Sequence, residues 1–127
     1  MNSFDLQECL VEKIENLKGE DLVVLEVQEN FAVTDFMMIV TGNSSRHVKA
    51  MLDLVVYSSK EEKVSIIGVE GRELYEWVLI DLGDVIVNLM QREARKFYDL
   101  ERLWSEERET EAPKKEKDED SYSVDRK

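Results

Sequence analysis

The sequence predicts an α/β domain built on a mixed five-stranded sheet with flanking helices. Three observations lead there. Helical and strand-like periodicities alternate along the chain in the order helix, strand, strand, helix, strand. The strand candidates are continuous apolar runs, which suits strands covered on both faces. A long apolar segment is broken once, by a glycine-bearing turn between aspartates, as in a β-hairpin.

The first helix is expected over residues 4–17. Leu6, Leu10, Ile14 and Leu17 recur at helical spacing, Ser3 is positioned to cap the start, and Gly19 to close the end. Leu22–Val27 and Phe36–Thr41 follow as short strands. The turn Thr41-Gly42-Asn43-Ser44-Ser45 then opens a second helix, whose Val48, Met51, Leu52 and Val55 fall on one apolar face. A short strand is expected at Val64–Val69, and a last helix from Glu93 to Trp104, packing through Phe97, Leu100, Leu103 and Trp104.

Between them lies the segment Trp77–Met90. Placing its turn so that Asp81 opposes Asp84 pairs Ile80 with Val85, Leu79 with Ile86, Val78 with Val87 and Trp77 with Asn88. Alternation then separates two surfaces. Val78, Ile80, Val85, Val87 and Leu89 form one, an ordinary core face. Tyr75, Trp77, Leu79, Ile86 and Met90 form the other, bordered by Asp81, Asp84 and Asn88. Two occupants of that second face remain open: a helix of the same chain, or a partner drawn to aromatic anchors with an acidic rim.

Charge narrows the partner. The 127 residues hold 29 acids and 17 bases, a net charge of −12. Nine of the acids and six of the bases lie from Ser105 onward, so residues 1–104 carry −9 and the tail −3. The tail, 105–127, has almost no apolar residues and is expected to be disordered; 1–104 is the expected folded domain. The acidity argues against a phosphate-binding surface as the main contact and suits a basic protein. The single Cys9 excludes an internal disulfide and a cysteine zinc site. No apolar run approaches the length of a spanning helix, so a cytoplasmic protein is expected, without membrane contact.

Catalytic signals are sparse. His47 is the one histidine, which removes any two-histidine site, and it is expected as a solvated surface residue. Asp81 and Asp84 are taken as turn chemistry rather than as a metal pair. One enzyme-like feature stands: Ser44 and Ser45 at a helix start, with Arg46 and Lys49 behind them, could hold a phosphate. An ordinary capped turn accounts for the same residues. No catalytic residue, cofactor or metal is assigned.

The chain resembles the ribosomal silencing factor, or Iojap-like, family. The resemblance runs from Asp5 to Trp104 through ordered blocks: Thr34-Asp35-Phe36, Thr41 to Arg46, Gly68-Val69-Glu70-Gly71, Glu76 to Val87, and Phe97 to Trp104. It departs at Ser58–Lys63, which lacks a glycine common there in the family. The resemblance implies a nucleotidyltransferase-like topology. It lacks the alternating catalytic carboxylates, because Val64-Ser65-Ile66-Ile67 carries none. It also implies a factor that binds the large ribosomal subunit through ribosomal protein L-fourteen, blocks joining of the small subunit, and represses translation when nutrients are short. Organellar members of the family are associated with large-subunit assembly.

On that basis Trp77 is the expected apolar anchor, and the alternation of the hairpin adds Tyr75, Leu79, Ile86 and Met90 as its neighbours. Glu70, Asp81, Asp84 and Asp99 are expected to face a basic partner, and Tyr98 to sit at the rim. The alternative is a nucleotide-binding protein or nucleotidyltransferase using the Gly42–Ser45 turn. A third reading is a homodimer of the free protein, paired over the same face.

Overall fold

The computed structural model describes residues 1–27 and 34–102. Eight elements follow in order: α1 (Ser3–Asn16), β1 (Glu20–Glu26), β2 (Phe36–Gly42), α2 (Ser45–Glu61), β3 (Gly68–Glu70), β4 (Trp77–Asp81), β5 (Val85–Gln91) and α3 (Arg92–Tyr98). The strands form one five-stranded sheet in the order β1-β2-β5-β4-β3. Only β2 and β5 run parallel; the other neighbours are antiparallel, so the sheet is mixed as expected. The expected boundary near residue 104, the tail, Leu103 and Trp104 lie outside the described residues.

Periodicity explains the larger of the two core layers. Leu6, Leu10 and Ile14 of α1 pack with Val48, Met51, Leu52 and Val55 of α2 over Val40, Val78, Ile80, Val87 and Leu89. Each such fully buried aliphatic side chain contributes about 1.5–3 kcal/mol. On the opposite face lies a smaller cluster of Leu25, Met37, Ile39 and Met90, joined by half-buried Trp77, Ile86, Ala94 and Leu100. Thus α1 and α2 cover one face, and the short α3 covers only part of the other.

Several local expectations are corrected. Asn2, not Ser3, caps α1, its Oδ1 accepting the Asp5 N–H at 2.8 Å. The left-handed residue after α1 is Lys18, with φ 67°. Gly19 serves space instead: a Cβ there would meet Ile14 Cγ2 at 2.6 Å and Val40 Cγ2 at 2.8 Å. Likewise Lys63, with φ 59°, takes the left-handed turn after α2 without a glycine. The strand expected at Val64–Val69 shortens to Gly68–Glu70. His47 is half-buried rather than solvated. Its Nδ1 accepts the Asn43 N–H at 3.0 Å, so Nε2 carries the proton and donates to the Leu17 carbonyl at 2.9 Å. It ties the end of α1 to the start of α2.

The hairpin register is displaced by two residues. Trp77 pairs with Met90, Leu79 with Asn88 and Asp81 with Ile86. The loop is Gly83-Asp84, which places the glycine, at φ 85°, first in a two-residue turn where positive φ is wanted. Leu82 is thereby freed to bury its side chain, 5% exposed, with the core. An even displacement changes cross-strand partners but leaves each side chain on its expected face.

Candidate protein-docking face

On the α3 side of the sheet, ladder partners share a face, so the rows can be read across. One row runs Glu70, Leu79, Asn88, Ile39 and Val23, the next Asp81, Ile86, Met37 and Leu25, and the third Trp77, Met90 and Thr41. At the β2 and β5 end, α3 lies over the third row: Arg95 donates to Thr41 Oγ1 at 2.9 Å and pairs with Glu101. Toward β4 and β3 the cover ends, leaving Trp77, Leu79 and Ile86 half-buried.

Trp77 is held on two sides. Its indole Nε1 donates to Asn88 Oδ1 at 2.9 Å, and Asn88, 1% exposed, donates in turn to the Met38 carbonyl at 3.2 Å and approaches Met37 Sδ at 2.9 Å. Against it the Tyr98 ring packs at a tilt of 46° with a centroid distance of 4.6 Å, and Phe97 meets Tyr98 edge-on at 4.9 Å. Phe97 and Tyr98 are 79% and 50% exposed. Three contiguous aromatics, one anchored to a buried amide and two open to solvent, have the make-up of an interface centre.

The rim is acidic. Glu70 and Asp84 are exposed; Asp81 is half-buried, its Oδ1 accepting the Gly83 N–H at 2.9 Å, which is the turn chemistry expected of it. Asp99 lies beyond Tyr98 and pairs with Arg102 at 2.8 Å, so its charge is partly answered within the chain.

Two of the expected anchors are not on this exposed surface. Met90 is fully buried in the cluster beneath α3. Tyr75 packs with the other core layer, and its phenol lies in the field of Lys49 on α2. The cause is a left-handed backbone at Tyr75, φ 57°, two residues before β4 begins, which breaks the alternation that would have aligned it with Trp77. The expected helix to Trp104 is also corrected. It is broken at Asp99, which adopts φ 52°, ψ 51°, and helical backbone resumes over residues 100–102; Phe97, expected on the packing side, is 79% exposed.

Phe97 is the member the sequence reading placed elsewhere; Asn88, expected at the border of the face, is instead buried beneath Trp77. The adjacent Phe97 and Tyr98 carried a signal, since neighbours on a helix point about 100° apart and both cannot pack on a narrow stripe. Asn88 carried one too, as a polar residue inside an otherwise apolar strand.

The Gly42–Ser45 turn is occupied by structural contacts. Ser44 Oγ accepts the His47 N–H at 3.1 Å as the cap of α2. Lys49 pairs with Asp53 at 3.1 Å, and that hydrogen bond raises its pKa above the ordinary lysine range. A Cβ on Gly42 would meet Val48 Cγ2 at 2.7 Å, so this glycine lets β2 approach α2. Among the described residues, no group of three or more His, Cys, Asp or Glu is arranged to hold a metal, and no helix is long and apolar enough to cross a membrane.

Fold and site define an α/β domain whose distinguishing feature is a partly exposed, aromatic, acid-rimmed sheet face. Comparison with known proteins specifies which such domain it is. The family model described as "Ribosomal silencing factor during starvation" matches residues 1–127, and the chain belongs to that family. It is 43% identical over 100 residues to the ribosomal silencing factor RsfS of Haemophilus influenzae, covering 79% of this chain and 98% of that protein. A crystal structure of a Chromobacterium violaceum protein superposes with a TM-score of 0.79 at 38% identity, covering 83% of this chain and 88% of that one. A mouse protein named for mitochondrial assembly of the ribosomal large subunit is 31% identical over 105 residues, which span 80% of this chain and 46% of the mouse protein.

Proposed function

We propose that this protein docks on the large ribosomal subunit through ribosomal protein L-fourteen, using the Trp77 face, and represses translation by obstructing entry of the small subunit. The observation that carries the reading is the continuous cluster of Trp77, Tyr98 and exposed Phe97, with Leu79 and Ile86 beside it and Glu70, Asp81 and Asp84 around it. Such a surface suits a partner presenting apolar side chains ringed by Lys and Arg. The names of the relatives supply the context: bacterial relatives are called ribosomal silencing factors, and the mouse relative is named for large-subunit assembly.

The mechanism is occlusion. A standard interface covers about 800 Å² on each partner, which this face and the edge of α3 can provide, and a body bound there excludes whatever else uses the same ground. No bond is made or broken. A nucleotide-handling role has less behind it, since the Ser44 hydroxyl and the Lys49 ammonium already have partners.

Trp77→Ala tests the site. The residue is half-buried, so the domain keeps its cooperative melting, while truncating a central tryptophan weakens binding by about 2 kcal/mol or more, roughly thirtyfold. Co-sedimentation with purified large subunits should therefore be lost at concentrations that saturate the unmodified protein, and inhibition of subunit joining with it. Undiminished co-sedimentation of a folded variant refutes the assignment.

A further inference from the structure

We propose that Arg95 is the positioning residue of the docking face: it pins α3 to the sheet in the one direction that holds Tyr98 against Trp77. This rests on the docking role given to the Trp77 face above, and names the side chain that keeps the face in its docking shape.

Little else fixes α3. None of its seven residues is buried and no side chain caps its start. Helices shorter than about 12 residues are marginal in water on their own. Its apolar hold on the sheet is half-buried Ala94, joined beyond the break at Asp99 by Leu100, both against the cluster around Met90. Arg92 adds an exposed ion pair with Glu20, of the kind that contributes little. Arg95 differs. Its side chain is 11% exposed, its Nη1 donates to Thr41 Oγ1 at 2.9 Å, and its Nε donates to Glu101 Oε1 at 2.9 Å. Thr41 is 2% exposed on an inner strand, so the point of attachment is firm.

The remainder is geometry. Thr41, Met90 and Trp77 are ladder partners in one row across β2, β5 and β4. Two strand spacings make that row about 10 Å long. Arg95 and Tyr98 are three residues apart, which puts them on the same side of α3. The helix therefore meets the row at both ends, Arg95 on Thr41 and Tyr98 on Trp77. Held at one end it could pivot; held at both it has one direction. The Glu101 bond crosses the left-handed break at Asp99, and so ties the residues after Tyr98 to those before it. A guanidinium offers both donors in fixed directions at once, which an ammonium on a flexible stem does not. Without this strut Tyr98 and the neighbouring Phe97 lose their fixed places. They must then be ordered at each binding event, which lowers affinity without removing any contact of the complex.

The test uses the full-length protein. Arg95→Met keeps an apolar stem and removes both donors. Cooperative melting should persist, because α3 contributes no buried residue to the core. The indole N–H resonance of Trp77 and the ring resonances of Tyr98 should move, while those of Val48, Met51 and Val55 in the other layer stay in place. Co-sedimentation with purified large subunits should weaken about tenfold, the effect of having to order two freed aromatic side chains. Thr41→Val removes only the acceptor; it should move the same resonances and weaken binding in the same direction. The double variant should bind no worse than Arg95→Met alone, since both substitutions break one attachment. Unmoved Trp77 and Tyr98 resonances in both variants, or binding losses that simply add, would overturn the proposal. Displaced rings with undiminished co-sedimentation would instead refute the docking role of the Trp77 face, and the proposal with it.

Discussion

Asn88→Ala should both destabilise the domain and loosen the anchor of the docking face. Asn88 is 1% exposed and makes two conventional hydrogen bonds, from the Trp77 indole at 2.9 Å and to the Met38 carbonyl at 3.2 Å. Each is worth about 1 kcal/mol net, and the space left by the amide adds to the loss, for about 2–3 kcal/mol in all. For a domain near 100 residues, that lowers the melting temperature by roughly 10–20 °C. Circular dichroism melting measures the shift, and the indole N–H resonance of Trp77 reports its loss of a partner through faster hydrogen exchange. A double-mutant cycle isolates the bond. In a Trp77→Phe background the donor is already gone, so Asn88→Ala should cost about 1 kcal/mol less there. Strict additivity, or a melting point within about 4 °C of the unmodified protein, would refute the claim that Asn88 holds Trp77 in place.

Four further substitutions separate fold from docking. Gly71→Ala should cost roughly 3 kcal/mol or more, because φ is +96° and the new Cβ would lie 2.0 Å from the Trp77 carbonyl oxygen; Gly68→Ala, with nothing within 4 Å, should melt like the parent in the same denaturant series. Ser59→Ala should stabilise by about 1 kcal/mol in urea unfolding, since its hydroxyl, in the last turn of α2, is fully buried without a partner and alanine is the better helix former. Phe97→Ser should leave stability within about 0.5 kcal/mol, its ring being 79% exposed, yet reduce co-sedimentation with large subunits about fivefold. Equal binding by that variant would remove Phe97 from the interface.

Local repeats determined much of this protein before any tertiary contact was considered. The apolar stripes of α1 and α2, the element order and the mixed sheet follow from periods of 3.6 and 2. So does the division of β4 and β5 into a Val78, Ile80, Val85, Val87, Leu89 face and a Trp77, Leu79, Ile86 face. That division survived a two-residue error in register because an even slip preserves side-chain direction.

What tertiary structure alone decided were the points where a single backbone angle or a distant contact overrides the repeat. A left-handed Tyr75 sends its ring to the opposite layer from Trp77, and a left-handed Asp99 breaks the last helix after Tyr98. Met90 is buried because α3 happens to end over it, and His47 is drawn in by the carbonyl of Leu17, thirty residues away. Periodicity records which way a side chain points relative to its neighbours in sequence. It holds no record of what stands opposite, and the extent of the exposed aromatic face depends on where the cover of α3 stops.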